Sequence, residues 1–80
     1  MDIIYSIIMR EVNKGTGKIS ARVCKKGTRE EVSKDFTMLK LRSVLNEDLS
    51  YYLTLQDNEK EAIKELKKKI IKESYIYERI

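Results

Sequence analysis

One thiol, scattered carboxylates and one glycine-lysine turn are the parts of this sequence from which catalytic chemistry could be built. The thiol is Cys24, the single cysteine of an 80-residue chain that contains no histidine. Without histidine, a Cys-His or Ser-His nucleophile cannot form within the chain, and a structural zinc site needs about four Cys or His ligands. Lys25 and Lys26 make a reactive thiol conceivable, but an inert Cys24 is the better interpretation because no second cysteine is present to resolve it.

Two short motifs resemble pieces of phosphate chemistry, and neither is complete. Glu65-Leu66-Lys67 has the Glu-x-Lys spacing of a metal-dependent nuclease, but residues two apart on a helix diverge by about 200°. Residues 15–18 read Gly-Thr-Gly-Lys, but a Walker A loop would need glycine in place of Val12 and Ser or Thr in place of Ile19. We therefore expect no catalytic residue, no metal site, no cofactor and no enzymatic activity.

Basic residues are concentrated in the first half of the chain. Residues 1–45 carry ten Lys or Arg against five acidic residues, and residues 46–80 carry seven against eight, so the net charge of +4 divides into +5 and −1. Within residues 10–29 the basic side chains are opposed only by Glu11. They are Arg10, Lys14, Lys18, Arg22, Lys25, Lys26 and Arg29.

This basic segment predicts a binding surface. A two-stranded ribbon fits the major groove of DNA, and each Lys or Arg that neutralises a phosphate releases a counterion. Arg22 and Lys26 share the outward parity of a strand with Ser20 and Cys24, so they would form a row. The first hypothesis is a small non-enzymatic protein that binds the phosphate backbone of a nucleic acid. The alternative without a binding function is a solvated basic face that keeps the protein soluble.

Tyrosines support a second hypothesis, in which the partner is a protein. Tyr51-Tyr52 and Tyr75 with Tyr77 are pairs that a small core need not cover, and exposed tyrosine near charge is typical of binding hot spots. The basic segment would then contact an acidic protein surface. The chain would act as a stoichiometric inhibitor or adaptor of a host protein or nucleoprotein, as small phage or mobile-element accessory proteins do (for example anti-defence inhibitors). An edge strand or the tail could also pair two copies into a homodimer.

Alternating apolar residues predict a hairpin at the start of the chain. Residues 3–9 are rich in β-branched and aromatic side chains, and residues 13–18 contain two glycines and form a turn. Ile19, Ala21 and Val23 then alternate with polar residues, as in a half-buried strand. We expect a basic β-hairpin over residues 1–26.

Residues 36–56 admit two interpretations. As strands, inward and outward positions alternate over 37–44 and again over 51–55, with Asn-Glu-Asp at 46–48 as the turn. As a helix, one face repeats at spacings of 3, 4, 4 and 3, and it consists of Met38, Leu41, Leu45, Leu49 and Tyr52. We favour a further hairpin, because the turn and the β-rich residues 51–54 support it, and the helix remains open.

The C-terminal part predicts a helix over residues 58–74, followed by a tail at 75–80. Asn58 can cap the helix with Glu61 three residues on. The apolar stripe of this helix consists of Ile63, Leu66, Ile70 and Tyr77.

These elements predict a single α+β domain, an antiparallel sheet of three to four strands packed by one C-terminal amphipathic helix. Only 41% of the residues are hydrophobic and 38% are charged, against about 45–50% and about 25% in ordinary domains, so the core must be small. The single cysteine favours a reducing, cytoplasmic location. No apolar run approaches the ~18 residues of a membrane span, so we expect no membrane partner.

Two segments resemble parts of the three-stranded sheet-plus-helix modules of integrase arm-binding and AP2-type domains. Residues 17–23 look like their second strand, and residues 54–62 look like the entry into their helix. The resemblance implies a fold in which the helix follows three consecutive strands, without establishing a function. Here 30 residues separate the two segments, and Ile19 stands where an aromatic residue is expected.

Overall fold

A four-stranded antiparallel sheet with a helix on each face forms the protein. The computed structural model describes residues 3–72 and 76–79. In chain order the elements are β1 (Tyr5–Val12), β2 (Ile19–Gly27), α1 (Arg29–Leu45), β3 (Leu49–Leu55), α2 (Glu59–Leu66) and β4 (Glu78–Arg79). A short 3₁₀ turn, Gln56–Asn58, precedes α2. The strands lie side by side in the order β2-β1-β3-β4.

The α+β class and the N-terminal hairpin are confirmed. β1 pairs with β2 from Tyr5 opposite Gly27 to Val12 opposite Ile19. Gly17 has a φ of 74° in the connecting turn, a conformation that glycine adopts without a steric cost.

The first face of the sheet packs against α1. Ile7 of β1 and Leu53 of β3 form a buried cluster with Val32 and Phe36 of α1. Tyr51 belongs to the same cluster and is 1% exposed. The favoured interpretation of the sequence assigned residues 37–44 to a strand, whereas the structure places them in α1.

The second face of the sheet packs against α2. The residues that point to this face are the ones that follow Ile7 in β1 and Tyr51 in β3. Ile8 and Tyr52 form a second buried cluster with Ala62 and Leu66. Because β1 and β3 carry apolar residues on both faces, one covering helix is not enough. The prediction of a single helix is therefore wrong, and the sheet lies between two.

The predicted second hairpin over 36–56 is wrong in its first half, and β3 is its only strand. A capping box begins α1, since the Thr28 hydroxyl accepts from the Glu31 backbone N–H and the Glu31 carboxylate accepts from the Thr28 N–H. Val32, Phe36 and Leu39, at i, i+4 and i+7, face the sheet. The helical alternative chose the opposite face, so neither interpretation identified the buried side of α1.

The predicted helix over 58–74 is shorter than expected and ends at Leu66. Asn58 occupies the N-cap position, but its side chain makes no capping hydrogen bond. Beyond the helix, Ile70 is 82% exposed, so it is not part of a buried stripe. The reason lies at the helix end, where the Arg10 guanidinium donates to the carbonyl oxygens of Leu66 and Lys68 and the chain turns away.

A β-bulge at Cys24 changes which face the following residues occupy. Ile8 lies opposite Val23 and Ile7 lies opposite Lys25, so Cys24 is the extra residue. Lys26 consequently lies on the α2 side with Glu59, whereas Arg22, opposite Met9, lies on the α1 side. The predicted row that joined Arg22 to Lys26 is therefore wrong.

The order of elements departs from that of integrase arm-binding and AP2-type modules. α1 stands between β2 and β3, which accounts for the 30 residues that separated the two similar segments. Three consecutive strands do not occur among the described residues.

Candidate binding surfaces

The basic residues of the hairpin fall into those with internal partners and those without. Arg10 is the most deeply engaged, because its Nε lies 2.6 Å from the Leu66 carbonyl oxygen and its Nη2 lies 2.9 Å from that of Lys68. These carbonyls are left without helical partners at the end of α2. Arg10 therefore closes the helix and is not presented to a ligand.

Two lysines of the hairpin contact carboxylates from the second half of the chain. Lys14 Nζ pairs with the Glu47 carboxylate and lies 3.3 Å from Asp48 Oδ1. The side-chain hydrogen bond from Lys14 lowers the pKa of Glu47, and the same contact raises the pKa of Lys14. Lys26 Nζ lies 3.2 Å from Glu59 Oε2, the oxygen that also accepts from the buried Ser6 hydroxyl at 2.8 Å.

Lys25 and Arg29 also have acidic partners. Lys25 Nζ lies 3.6 Å from Asp35 Oδ2 of α1, and Arg29 Nη2 lies 3.0 Å from Glu78 Oε1 of β4. The Arg29 guanidinium also lies 5.4 Å from the centre of the Tyr5 ring. Much of the positive charge in the first half of the chain is therefore paired, within the folded protein, with carboxylates from the second half.

Lys18 and Arg22 are the two hairpin cations whose side chains have neither an ion pair nor a carbonyl partner within residues 3–72 and 76–79. Both are exposed. Lys60 and Lys64 of α2, with Lys67 directly after it, line a shallow surface depression that also includes Ile63 and Glu61. Lys34, Lys40 and Arg42 of α1 are also exposed and have no ion pair in the described ranges, so the cations without an ion pair are spread over several elements.

The tyrosines predicted as protein contacts occupy different environments. Tyr51 and Tyr52 are 1% and 5% exposed in the two core clusters, so they do not contact a partner. Tyr77 is 52% exposed and makes an edge-to-face contact with Tyr5 at 6.2 Å between ring centres. Tyr75 lies outside the described residues.

Cys24 has the environment of a poorly reactive thiol. Its Sγ donates to the Ile7 carbonyl oxygen at 3.5 Å. Partial burial raises the pKa of the Cys24 thiol, and this outweighs the lowering by Arg22 and Arg42. The thiol is therefore less ionised than a free cysteine at neutral pH.

The outer face of α1 carries large apolar side chains that the sheet does not cover. We call this the α1 stripe, and its members are Met38 (71% exposed), Leu41 (68%) and Leu45 (87%), with Val44 (77%) beside them. The spacing of 3 and 4 residues aligns the first three on one side of the helix. The helical alternative in the sequence contained this signal, since it placed Met38, Leu41 and Leu45 on one face, but it continued that face into residues 49–52, which belong to β3.

A groove of about 540 Å³ separates the α1 stripe from β2. Its wall on the sheet side includes Cys24 and Lys25, and its wall on the helix side includes Met38 and Leu41. Arg42 and Asp35 line it as well. An apolar floor with charged groups at the margin is typical of a site that binds a side chain of another molecule.

Comparison with protein-family models, with curated proteins and with solved structures finds no match to this chain. Within the described ranges, no three His, Cys, Asp or Glu side chains cluster in a way that could hold a metal ion. In the same ranges, neither helix has the length and apolar character needed to cross a membrane. The surface itself must therefore indicate the function.

Proposed function

We propose that the chain is a small non-enzymatic protein-binding module, an adaptor or stoichiometric inhibitor, that contacts its partner through the α1 stripe. The observation that carries the proposal is the exposure of Met38, Leu41, Val44 and Leu45, between 68% and 87%. Contiguous apolar patches of this kind on a small charged protein mark interaction sites.

The composition strengthens this conclusion. Only 41% of the residues are hydrophobic, so apolar side chains are scarce, and four large ones remain outside the core on a single helix. Methionine is enriched at protein interfaces and adapts to irregular surfaces. The net charge of +4 favours a partner with an acidic surface.

Affinity capture with matched variants tests the proposal. The wild-type chain, L41E/L45E and K60E/K64E are each immobilised and exposed to nuclease-treated lysate of the source organism. We expect a stoichiometric partner with the wild type and with K60E/K64E, and at least about a tenfold loss of it with L41E/L45E, since a buried apolar anchor contributes more than about 1.4 kcal/mol. Recovery of the same protein by all three chains, or of none by the wild type, would contradict the proposal.

A second candidate function is binding to the phosphate backbone of a nucleic acid. It is favoured by the exposed cations without an ion pair in the described part of the chain, among them Lys18, Arg22, Lys60, Lys64 and Lys67. The acid partners of the other hairpin cations weaken it, because an incoming phosphate must compete with a carboxylate already in contact.

A salt titration with random duplex and single-stranded oligonucleotides tests this second candidate. If Lys18 and Arg22 are the hairpin residues that contact phosphate, the log–log salt slope for duplex is about −2, and K18Q/R22Q removes it. A slope that K18Q/R22Q leaves unchanged would exclude the hairpin as the nucleic-acid surface.

A further inference from the structure

Besides the α1 stripe, the structure has a second surface without a partner, which is the open edge of the sheet at β2. β2 stands first in the strand order, so one side of this nine-residue strand faces no other strand of the described chain. An exposed edge strand is a template for pairing with another chain. It lies across the groove from Met38 and Leu41.

The hydrogen-bond pattern shows which backbone groups are offered at this edge. The Asn13 N–H donates to the Lys18 carbonyl of the hairpin, whereas the Val12 N–H donates to the Asp48 carbonyl on the β3 side. Residues of β1 therefore alternate between their two neighbours, as in any antiparallel sheet. Arg10 and Ile8 lie two and four positions before Val12, so their backbone groups also face β3 and not β2. Ala21 and Val23 lie opposite them, and the N–H and C=O groups of these two residues therefore point away from β1 toward the open edge.

A strand added at this edge would place half of its side chains at the groove. Adjacent strands lie about 4.8 Å apart and alternate side chains point to opposite faces. The side chains on the α1 face of the added strand would therefore contact Met38 and Leu41. The backbone edge and the apolar groove form one site, which neither α1 nor β2 provides alone.

The charges around the groove select the chemistry of that strand. Arg22 lies on the α1 face of β2 and Arg42 lines the groove, and neither has an ion pair within the described ranges. Asp35 is the acid at the groove, and Lys25 already contacts it at 3.6 Å. An acidic strand would pair with the two arginines, whereas a basic strand would be repelled.

From these contacts we infer that β2 and the α1 stripe bind one extended segment of a partner protein, in which apolar and acidic side chains alternate. This inference rests on the proposed function and names the chemistry of the partner. A second copy of this chain fits the site less well, because β2 carries three cations and no acidic residue, so pairing two β2 strands would bring like charges together, and like charges across a sheet are unfavourable.

Synthetic peptides provide the direct test. Blocked peptides as long as β2 that alternate glutamate with valine or with leucine are titrated into the isotope-labelled protein, and amide exchange is followed by NMR. We expect slowed exchange at Ala21 and Val23, shifts at Met38 and Leu41, and at least about tenfold weaker binding when lysine replaces glutamate. Absence of protection at Ala21 and Val23 at about 1 mM peptide would overturn the inference.

Two further peptides and three variants make the result specific. N-methylation of alternate residues in one register removes the donors that face β2 and weakens binding at least about tenfold, while methylation in the other register does not. L41E and R22E weaken binding to the same extent, and K60E, on the outer face of α2, is the matched control. Equal binding of both methylated peptides would show that the ligand is not bound as a strand, and would overturn the inference.

The outcomes separate this inference from the proposed function. Partner capture that depends on Leu41 and Leu45, without peptide protection at β2, would leave the protein-binding function and overturn the strand mode. Protection at β2 by peptide, with capture that does not depend on the α1 stripe, would overturn the proposed function and with it this site. Sedimentation that shows a dimer with Ala21 and Val23 protected in the absence of peptide would identify a second copy as the occupant, against the inference.

Discussion

The two helices cover opposite faces of the same sheet and use their apolar residues differently. α2 has eight residues, buries Ala62 and Leu66, and leaves lysines on its outer side. α1 has 17 residues, buries Val32 and Phe36, and leaves Met38, Leu41, Val44 and Leu45 in solvent. α2 is explained by the fold alone, whereas α1 carries more apolar surface than the sheet can cover.

The difference indicates which side of the molecule has a binding function. A helix that only covers a sheet has one apolar stripe and one polar face, as α2 does. A helix that is apolar on two faces needs a second contact to cover the outer face. The first prediction tests whether the outer residues of α1 are dispensable for stability, as this comparison requires.

The same substitution on the two helices gives the largest contrast. Leu66→Ala removes a fully buried side chain from the α2 cluster, and we expect it to lower the free energy of unfolding by about 2–5 kcal/mol. Leu41→Ala, at a position 68% exposed, should change it by less than about 0.5 kcal/mol. Urea unfolding of the two variants measures both values. A cost for Leu41→Ala that approaches the cost for Leu66→Ala would mean that the α1 stripe is covered within the free protein.

The next contrast compares the stability of variants at two hairpin arginines, Arg10 of β1 and Arg22 of β2. Arg10→Met keeps an apolar stem and removes the donors to the Leu66 and Lys68 carbonyls, so we expect a loss of about 1.5–3 kcal/mol. Arg22→Met, at an exposed residue, should cost less than about 0.5 kcal/mol. Thermal unfolding at matched concentrations compares them. Equal stability of the two variants would show that Arg10 does not hold the end of α2, and would return it to the candidate ligand-binding residues.

The N-terminal caps of the two helices differ in the same way. Thr28→Ala removes the hydroxyl that accepts from the Glu31 backbone N–H in the capping box on α1, and leaves the Thr28 N–H that donates to the Glu31 carboxylate. A cost of about 1 kcal/mol is expected. Asn58→Ala removes a side chain that makes no capping bond on α2, so its cost should be a few tenths of a kcal/mol. Urea unfolding measures both, with helix content followed by circular dichroism. A larger loss for Asn58→Ala would reverse this comparison.

Much of this fold was accessible from the sequence, and Thr28 shows what was missed. The hairpin was found because alternation and a two-glycine turn are local signals. The start of α1 was also a local signal, since Thr28-x-x-Glu31 before an apolar run is a capping-box pattern, but the turn-like residues 46–48 led to a strand interpretation. The buried face of α1 was harder to identify, because Phe36 and Leu41 are equally apolar and only the tertiary fold distinguishes them.

The candidate site depends on pairings that no local pattern encodes. Cys24 is the extra residue of a bulge, which moves Lys26 to the other face of the sheet, and nothing at that position in the sequence distinguishes it from a regular strand. Glu59, at the start of α2, reaches Lys26 only because α2 packs on the sheet, and Glu78 of β4 reaches Arg29 at the start of α1 only in the folded chain. Charge counts along the chain therefore overstated the free positive surface.

Acid titration gives the smallest expected effect and separates local carboxylate contacts on the two helices. On α1, the hydrogen bond from the Thr28 N–H lowers the pKa of Glu31 below its usual value, and on α2 the Lys72 N–H lowers the pKa of Glu65. A carboxyl group whose pKa is lower in the folded state stabilises the fold above its unfolded pKa, and this contribution is lost as the pH falls through the folded pKa. Unfolding free energy should therefore decrease as the pH is lowered from about 7 to about 3, and the decrease should be smaller in Glu31→Gln and in Glu65→Gln.

Urea unfolding across this range measures the slopes, with Glu30→Gln as the control because that first-turn carboxylate accepts no hydrogen bond in the described part of the chain. If Glu30→Gln flattens the slope as much as Glu31→Gln does, the general field of the helix N-terminus accounts for the effect, and the capping contact on α1 has no separate role in it.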